Sequence, residues 1–183
     1  MQLVAYERRP VAILEYDRVW PIVAEYVSNL LAAAVPVASL THVGSTAVPG
    51  LSGKGVIDLM AVLAPSALPA AVQSFLDAGL QTRPNGFPAS RPLLFTAVQT
   101  PTGVYQVHVH VVPEGNDEVH VQLGLVTALR SDASLREEYA ALKRKIVESG
   151  DVDPVPYSAA KDEWLAHTLS QLGLPPTPVA FGG

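Results

Sequence analysis

Cysteine is absent from the 183 residues of this chain. Disulfide bonds, thiolate catalysis and cysteine-ligated zinc are therefore excluded together. Charge is also scarce, since only 16% of the residues are Asp, Glu, Lys or Arg, and the formal net charge is −5. This balance argues against general nucleic-acid binding, because a phosphate backbone attracts basic surfaces. A local basic pocket remains compatible with it.

Long apolar runs are missing as well. The most apolar stretch, residues 27–40, is interrupted by Ser28, Asn29 and Pro36 and is too short to span a bilayer. The N-terminal residues also lack the apolar core and cleavage site of a signal peptide. We therefore expect a cytoplasmic protein without a membrane partner, whose oligomeric state the sequence leaves open.

About half of the residues are apolar, which predicts a folded protein with a substantial core. We expect one domain over residues 1–174, followed by an irregular tail rich in Pro and Gly over 175–183. Apolar periodicity and turn residues predict helices and strands in this order: helix 18–34, strands 37–43 and 56–63, helix 65–78, strands 93–99 and 104–112, and helices 117–130, 135–147 and 158–172. The pattern is α+β: a mixed or antiparallel sheet with an N-terminal helix and a helical C-terminal third.

Residues 41–63 carry the first candidate site. The small-residue turn at Gly44 and Ser45 offers backbone N–H groups and a hydroxyl, which are groups that bind phosphate. Asp58 lies inside the apolar strand 56–63, where a carboxylate needs a partner or a chemical role. Lys54 is the nearest candidate cation for a phosphate, although an ion pair with Asp58 or an ordinary loop position explains it as well.

His108 and His110 form the second candidate site. Residues two apart in a strand point to the same face, about 7 Å from each other along the backbone. If this strand neighbours the one that contains Asp58, the three side chains supply two nitrogens and one oxygen to a divalent metal such as Mg, Mn or Zn. Two alternatives stay open: a hydrogen-bonded core histidine, or a protonated pair that binds phosphate directly. No organic cofactor is predicted.

Two arginines are further candidates for phosphate binding. Arg91 directly precedes a predicted strand, and Arg130 lies at the end of a predicted helix, where the helix dipole alone favours a cation. The basic run 143–145 is interpreted as a solvated helix face. Surface or packing roles are expected for the remaining histidines, although His42 adjoins the Gly-Ser turn.

The chain resembles the GrpB family, also called the UPF0157 family, within the nucleotidyltransferase-fold superfamily. The resemblance covers nearly the whole chain, and its most specific block runs from His42-Val43-Gly44-Ser45-Thr46 to Ile57-Asp58. The other matching residues are Tyr16-Asp17, Trp20-Pro21, Val48-Pro49-Gly50-Leu51, Lys54, His108-Val109-His110-Val111-Val112, Leu129-Arg130, Tyr139, Leu142-Lys143, Tyr157 and Lys161.

This resemblance implies a nucleotidyltransferase-like mixed sheet. In the superfamily the Gly-Ser turn holds nucleotide phosphates, and carboxylates on the following strands hold two divalent metals. Such a site transfers a nucleotidyl group from a nucleoside triphosphate to an acceptor hydroxyl. Asp58 would be the catalytic carboxylate, with a nucleotide or a phosphorylated small molecule as the partner.

Two departures from the superfamily pattern bear on catalysis. The second acid, usually two residues after the first, is replaced here by Met60, which is a poor ligand for magnesium. The histidines would shift metal preference toward manganese, zinc or iron. In the C-terminal half, an Arg-Asp pair common in the family is Val126-Thr127. The alternatives to a nucleotidyltransferase are a non-catalytic accessory module that binds a ligand or partner, and a metal-assisted phosphate-ester hydrolase.

Overall fold

A computed structural model describes residues 1–84, 87–150 and 152–176. These residues form a five-stranded sheet in the order β1-β4-β5-β3-β2, in which β3 and β5 are parallel and the other neighbours antiparallel. The strands are Gln2–Val4 (β1), Ser39–Val43 (β2), Ile57–Leu63 (β3), Leu93–Thr100 (β4) and Gly103–Pro113 (β5). The helices are Val19–Ala34 (α1), Leu68–Asp77 (α2), Asp117–Ser131 (α3), Ala133–Glu148 (α4), Pro154–Ala159 (α5) and Asp162–Gln171 (α6).

Side chains along β3 and β5 alternate between the two faces of the sheet, and each face carries its own apolar core. Ile57, Leu59 and the valines at 107, 109 and 111 face α1 and α2 in one apolar cluster. Met60 and Val112 lie on the opposite face, in a second cluster with residues of α3, α4 and α6. Asp58, His108 and His110 share that second face, so the candidate site lies beneath the C-terminal helices.

The predicted α+β class and the antiparallel β4–β5 hairpin are confirmed. Strand β1 was not predicted, because three residues at a sheet edge carry no periodic signal; the sheet therefore begins before the N-terminal helix. The predicted last helix, 158–172, is wrong in its bounds. Pro154 begins the separate helix α5, with Asp153 accepting a hydrogen bond from the Val155 N–H, and Pro is favoured in that first turn.

Two further predictions concern the chain ends and membranes. Most of the irregular tail, residues 177–183, lies outside the described residues. Within the part of the chain that the structure describes, no helix combines the length and the apolar character needed to cross a membrane.

Candidate functional site

The Gly-Ser turn lies directly over the carboxylate of Asp58. Strand β2 ends at Val43, which pairs with Asp58 of β3, and the chain then turns at Gly44 into a single 3-10 turn, Ser45–Ala47. Gly44 has φ of 71° and ψ of −171°, a conformation that side chains with a Cβ rarely adopt. A Cβ at Gly44 would lie 2.7 Å from Asp58 Oδ2. Glycine is therefore what allows the carboxylate to sit this close to the turn.

The parallel pairing of β3 and β5 places Asp58 opposite His108, and His110 follows two residues along β5 on the same face. Asp58 Oδ1 lies 3.6 Å from His108 Nδ1 and 3.5 Å from His110 Nε2. The second ring nitrogen of each histidine also has a polar neighbour. Tyr6 Oη is 3.0 Å from His108 Nε2, and Glu118 Oε1 is 3.4 Å from His110 Nδ1. The structure thus brings together the three side chains that the sequence grouped, within a longer row of buried polar groups.

The two histidines differ in pKa because their neighbours differ. Burial lowers the pKa of His108 to about 4, so its imidazole is neutral at neutral pH. Burial would also lower the pKa of His110, but hydrogen bonding to Asp58 and Glu118 raises it above the usual value. Burial alone would raise the pKa of Asp58, whereas hydrogen bonding to both histidines and the charge of Lys54 hold it well below its usual range. Asp58 is therefore ionised, and the two neighbouring carboxylates favour the protonated form of His110.

The side chains of the two candidate arginines contact other groups of the protein. Arg91 is buried and donates to Glu118 Oε2. Arg130 donates through Nε and Nη2 to the carbonyl of Ala47, at 3.0 and 2.6 Å, and so holds the end of the turn. Phosphate binding by either arginine stays a prediction.

A cavity of about 50 Å³ opens between the turn, Asp58 and the C-terminal helices. Its lining includes Gly44, Ser45, Thr46, Lys54, Asp58, His110, Gln122, Tyr139, Tyr157 and Lys161. Lys143 reaches the same place from α4, since its ammonium group donates to Ser45 Oγ at 3.1 Å and to the Ser52 carbonyl. The interpretation of the run 143–145 as a solvated face is wrong for Lys143, which is 1% exposed.

Two tyrosine–lysine pairs supply the basic side chains. Lys143 follows Tyr139 by four residues on α4, and its Nζ lies 4.5 Å from the centre of the Tyr139 ring. Lys161 follows Tyr157 by the same interval, and its Nζ lies 4.7 Å from that ring. Such contacts stabilise a cation without neutralising it. The repeated Tyr-x-x-x-Lys spacing was the available signal, but spacing alone does not reveal which helix face is buried.

Burial lowers the pKa of all three lysines near the cavity. Burial and then the charge of Lys161 lower the pKa of Lys143 to about 7. Burial and then the charge of Lys54 lower that of Lys161 to about 7, and burial lowers the pKa of Lys54. These lysines lie near one another, and Asp58 is the carboxylate that lines their cavity. A bound anion would therefore stabilise the charged forms of the lysines.

The polar side chains around Asp58 include atom types that bind divalent metals. Within the described residues, no group of three or more His, Cys, Asp or Glu side chains is arranged to hold a metal ion. Asp58 Oδ1, His108 Nδ1 and both ring nitrogens of His110 are nevertheless buried without good hydrogen-bond geometry in this part of the chain. The donor types suit a metal but their present arrangement does not. Metal binding by Asp58, His108 and His110 therefore stays a prediction.

His42 provides a test of how the turn responds to pH. Its Nε2 lies 2.9 Å from Thr46 Oγ1, and burial lowers its pKa to about 4 from the usual 6.5. Between these pH values the unfolded chain binds a proton that the native protein does not, so native stability falls as pH falls through this window. We expect His42→Gln to make that decline shallower in urea unfolding measured across a pH series. The control is His167→Gln, at an exposed position of α6. The prediction is contradicted if the free energy of unfolding falls equally steeply with pH in His42→Gln and in the wild type.

Comparisons of sequence identify related proteins. The GrpB protein family matches residues 10–171. A UPF0157 protein of Streptomyces coelicolor is 30% identical over 169 residues, covering 91% of this chain and 87% of that protein. A dephospho-CoA kinase of Mycolicibacterium paratuberculosis is 30% identical over 183 residues, which cover 86% of this chain but only 44% of the kinase.

Comparisons of structure show the same fold. The conserved protein GrpB from Enterococcus faecalis superposes with a TM-score of 0.73 at 20% identity, covering 88% of this chain and 96% of that one. The Cid1 poly(U) polymerase with Mg 3′-dATP bound superposes with a TM-score of 0.56 at 16% identity, covering 84% of this chain and 49% of the polymerase. The nucleotidyltransferase-like fold expected from the sequence is therefore confirmed.

Proposed function

The chain belongs to the GrpB family, and we propose that it binds the phosphate groups of a nucleotide or phosphorylated metabolite at the Gly44–Ser45 turn. One observation carries the proposal: Lys54 and Lys161 line the cavity at this turn and the ammonium group of Lys143 donates to Ser45 there, while Asp58 is the one carboxylate among the described residues of that lining. Burial lowers the pKa of each of these lysines, and the charge of a second lysine lowers those of Lys143 and Lys161 further, so a bound phosphate would stabilise their protonated forms.

We propose a role for each group around the phosphate. Gly44 lets the turn lie against the Asp58 carboxylate, and Ser45, whose hydroxyl oxygen accepts from Lys143, presents a hydroxyl group at the cavity. Lys54 and Lys161 line the cavity and offset the anion's charge. The tyrosine rings beneath Lys143 and Lys161 hold these cations in place without competing as anions.

We also propose that nucleotidyl transfer is the reaction if the ligand is a nucleoside triphosphate. An acceptor hydroxyl oxygen would bond to the α-phosphorus, pyrophosphate would leave, and the hydroxyl proton would pass to solvent. Because its pKa is depressed, Asp58 is a weak base that is suited to orienting the acceptor by hydrogen bonding. A divalent metal, when bound by Asp58 and the histidines, would add charge neutralisation at the phosphates.

An accessory module without catalysis is the second candidate. Met60 stands beside His110 at the place where the superfamily usually has a second acid, and its side chain is buried in the apolar cluster beneath α3 and α4. The relative named dephospho-CoA kinase is more than twice the length of its matched part, which is compatible with a supporting role for this fold beside another domain.

Calorimetric titration tests both candidates. Inorganic triphosphate and nucleoside triphosphates would be titrated into the protein, each alone and with Mg²⁺, Mn²⁺ or Zn²⁺. We expect saturable binding of inorganic triphosphate, and tighter binding in the Asp58→Asn variant because a nearby negative charge is removed. Asp58→Asn should abolish nucleotidyl transfer if the protein is an enzyme. Absence of binding under every combination would refute the phosphate site.

A further inference from the structure

A second and larger cavity adjoins the phosphate cavity. This groove has a volume of about 530 Å³, within the usual range for small-molecule sites. It is bordered by Tyr6, by the N-terminal segment up to Asp17, and by the start of β5. Lys54 and Val56 line both cavities, so a ligand whose phosphates occupy the smaller one can extend into the groove past Lys54.

Gln106 is the unusual residue of this groove. It lies on β5 two residues before His108, on the same face of the sheet, and is 6% exposed. Among the described residues, neither Oε1 nor Nε2 of Gln106 has a hydrogen-bond partner. A buried polar atom without a partner loses its hydrogen bonds to water without replacement, and such atoms in native proteins call for an explanation. In Gln106 a donor and an acceptor lie side by side at the wall of the groove.

The rest of the lining is compatible with a planar organic group. Tyr6 and Tyr105 contribute aromatic surface, and the Tyr105 hydroxyl donates to Asp17 Oδ2 at 2.8 Å, which holds this wall together. The smaller cavity, at about 50 Å³, is the one lined by the charged groups proposed to bind the phosphates. The groove is about ten times larger, which is more than a small phosphorylated metabolite needs and suits a nucleoside.

We propose that the groove receives the base of a nucleotide whose phosphates bind at the Gly44–Ser45 turn, and that Gln106 recognises the base edge. This inference rests on the proposed function, and it names the ligand class of that site. A carboxamide presents an acceptor and a donor in the spacing that matches the adjacent donor and acceptor of a base edge, as in glutamine contacts to adenine. The buried carboxamide then gains both of its missing partners on binding.

The test compares inorganic triphosphate with ATP, GTP, CTP and UTP by calorimetry, in the wild type and in Gln106→Met. Methionine has nearly the same shape without the donor or acceptor. We expect at least one nucleoside triphosphate to bind about 10-fold or more tightly than inorganic triphosphate, and Gln106→Met to remove that gain while leaving affinity for inorganic triphosphate unchanged. Without ligand, Gln106→Met should be at least as stable to urea as the wild type, because two unpartnered polar atoms are removed.

The control is Gln73→Met, at an exposed position of α2. The inference is overturned if no nucleoside triphosphate binds more tightly than inorganic triphosphate, if Gln106→Met keeps the gain, or if Gln106→Met is destabilised in the absence of ligand, which would indicate a structural role. If inorganic triphosphate does not bind, the phosphate site fails. Nucleosides without phosphates then test the groove separately: binding that Gln106→Met abolishes supports it, and no binding refutes it.

Discussion

Replacing Gly44 by alanine should lower the free energy of unfolding by about 3 kcal/mol and abolish triphosphate binding. Two causes act together. The backbone of Gly44, with φ of 71° and ψ of −171°, lies in a region that is nearly restricted to glycine and costs about 1–3 kcal/mol for other residues. The new Cβ would also lie 2.7 Å from Asp58 Oδ2 and 3.3 Å from Asp58 Cβ and Cγ, so the carboxylate or the turn must move.

Gly50→Ala is the matched control for this variant. Gly50 also has a positive φ, of 79°, but a Cβ there meets no atom within 4 Å. Its substitution should therefore cost about 1–2 kcal/mol from backbone conformation alone, and triphosphate binding should persist. Urea unfolding and calorimetry measure both effects. Equal losses in the two variants would show that contact with Asp58 does not determine the geometry of the turn.

Replacing Lys143 by methionine should weaken the binding of inorganic triphosphate about 10- to 100-fold, because a charge-assisted contact and the orientation of the Ser45 hydroxyl are both lost. The variant should also change how stability depends on pH. The pKa of Lys143 is about 7 in the native protein against a usual 10.5, so the unfolded chain binds more protons between these values. Wild-type stability therefore receives a contribution that rises with pH across this window, and Lys143→Met should lose it.

Triphosphate binding should likewise weaken as pH rises above about 7, because Lys143 and Lys161 lose their protons there. Above this pH the protein should take up protons when triphosphate binds. Calorimetry in buffers of different ionisation enthalpy measures that uptake. Lys145→Met, at an exposed position on the same helix, is the control and should change neither quantity. Unchanged affinity and unchanged proton uptake in Lys143→Met would contradict the assignment of Lys143 to the phosphate site.

The local elements of the fold were accessible from the sequence because each one buries a periodic face. Helix α1 and the β4–β5 hairpin follow directly from apolar spacing and turn residues. The errors lie where that signal is weak: β1 is a three-residue edge strand, and the division between α5 and α6 depends on capping at Asp153 and Pro154. The parallel pairing of β3 with β5, which are separated by β4 in the chain, depends on how the helices cover the sheet.

The sequence by itself determined that Gly44 and Ser45 precede a strand with one acid, and that His108 and His110 share a strand face, because two-residue alternation is a local property. Only the tertiary structure decided that Asp58 lies opposite His108, since strand order is set by packing between distant segments. It also decided that Lys143 and Lys161 are buried beside the turn and that Gln106 borders a groove. Helical and strand spacing tell which residues share a face, but burial of that face depends on the element that packs against it.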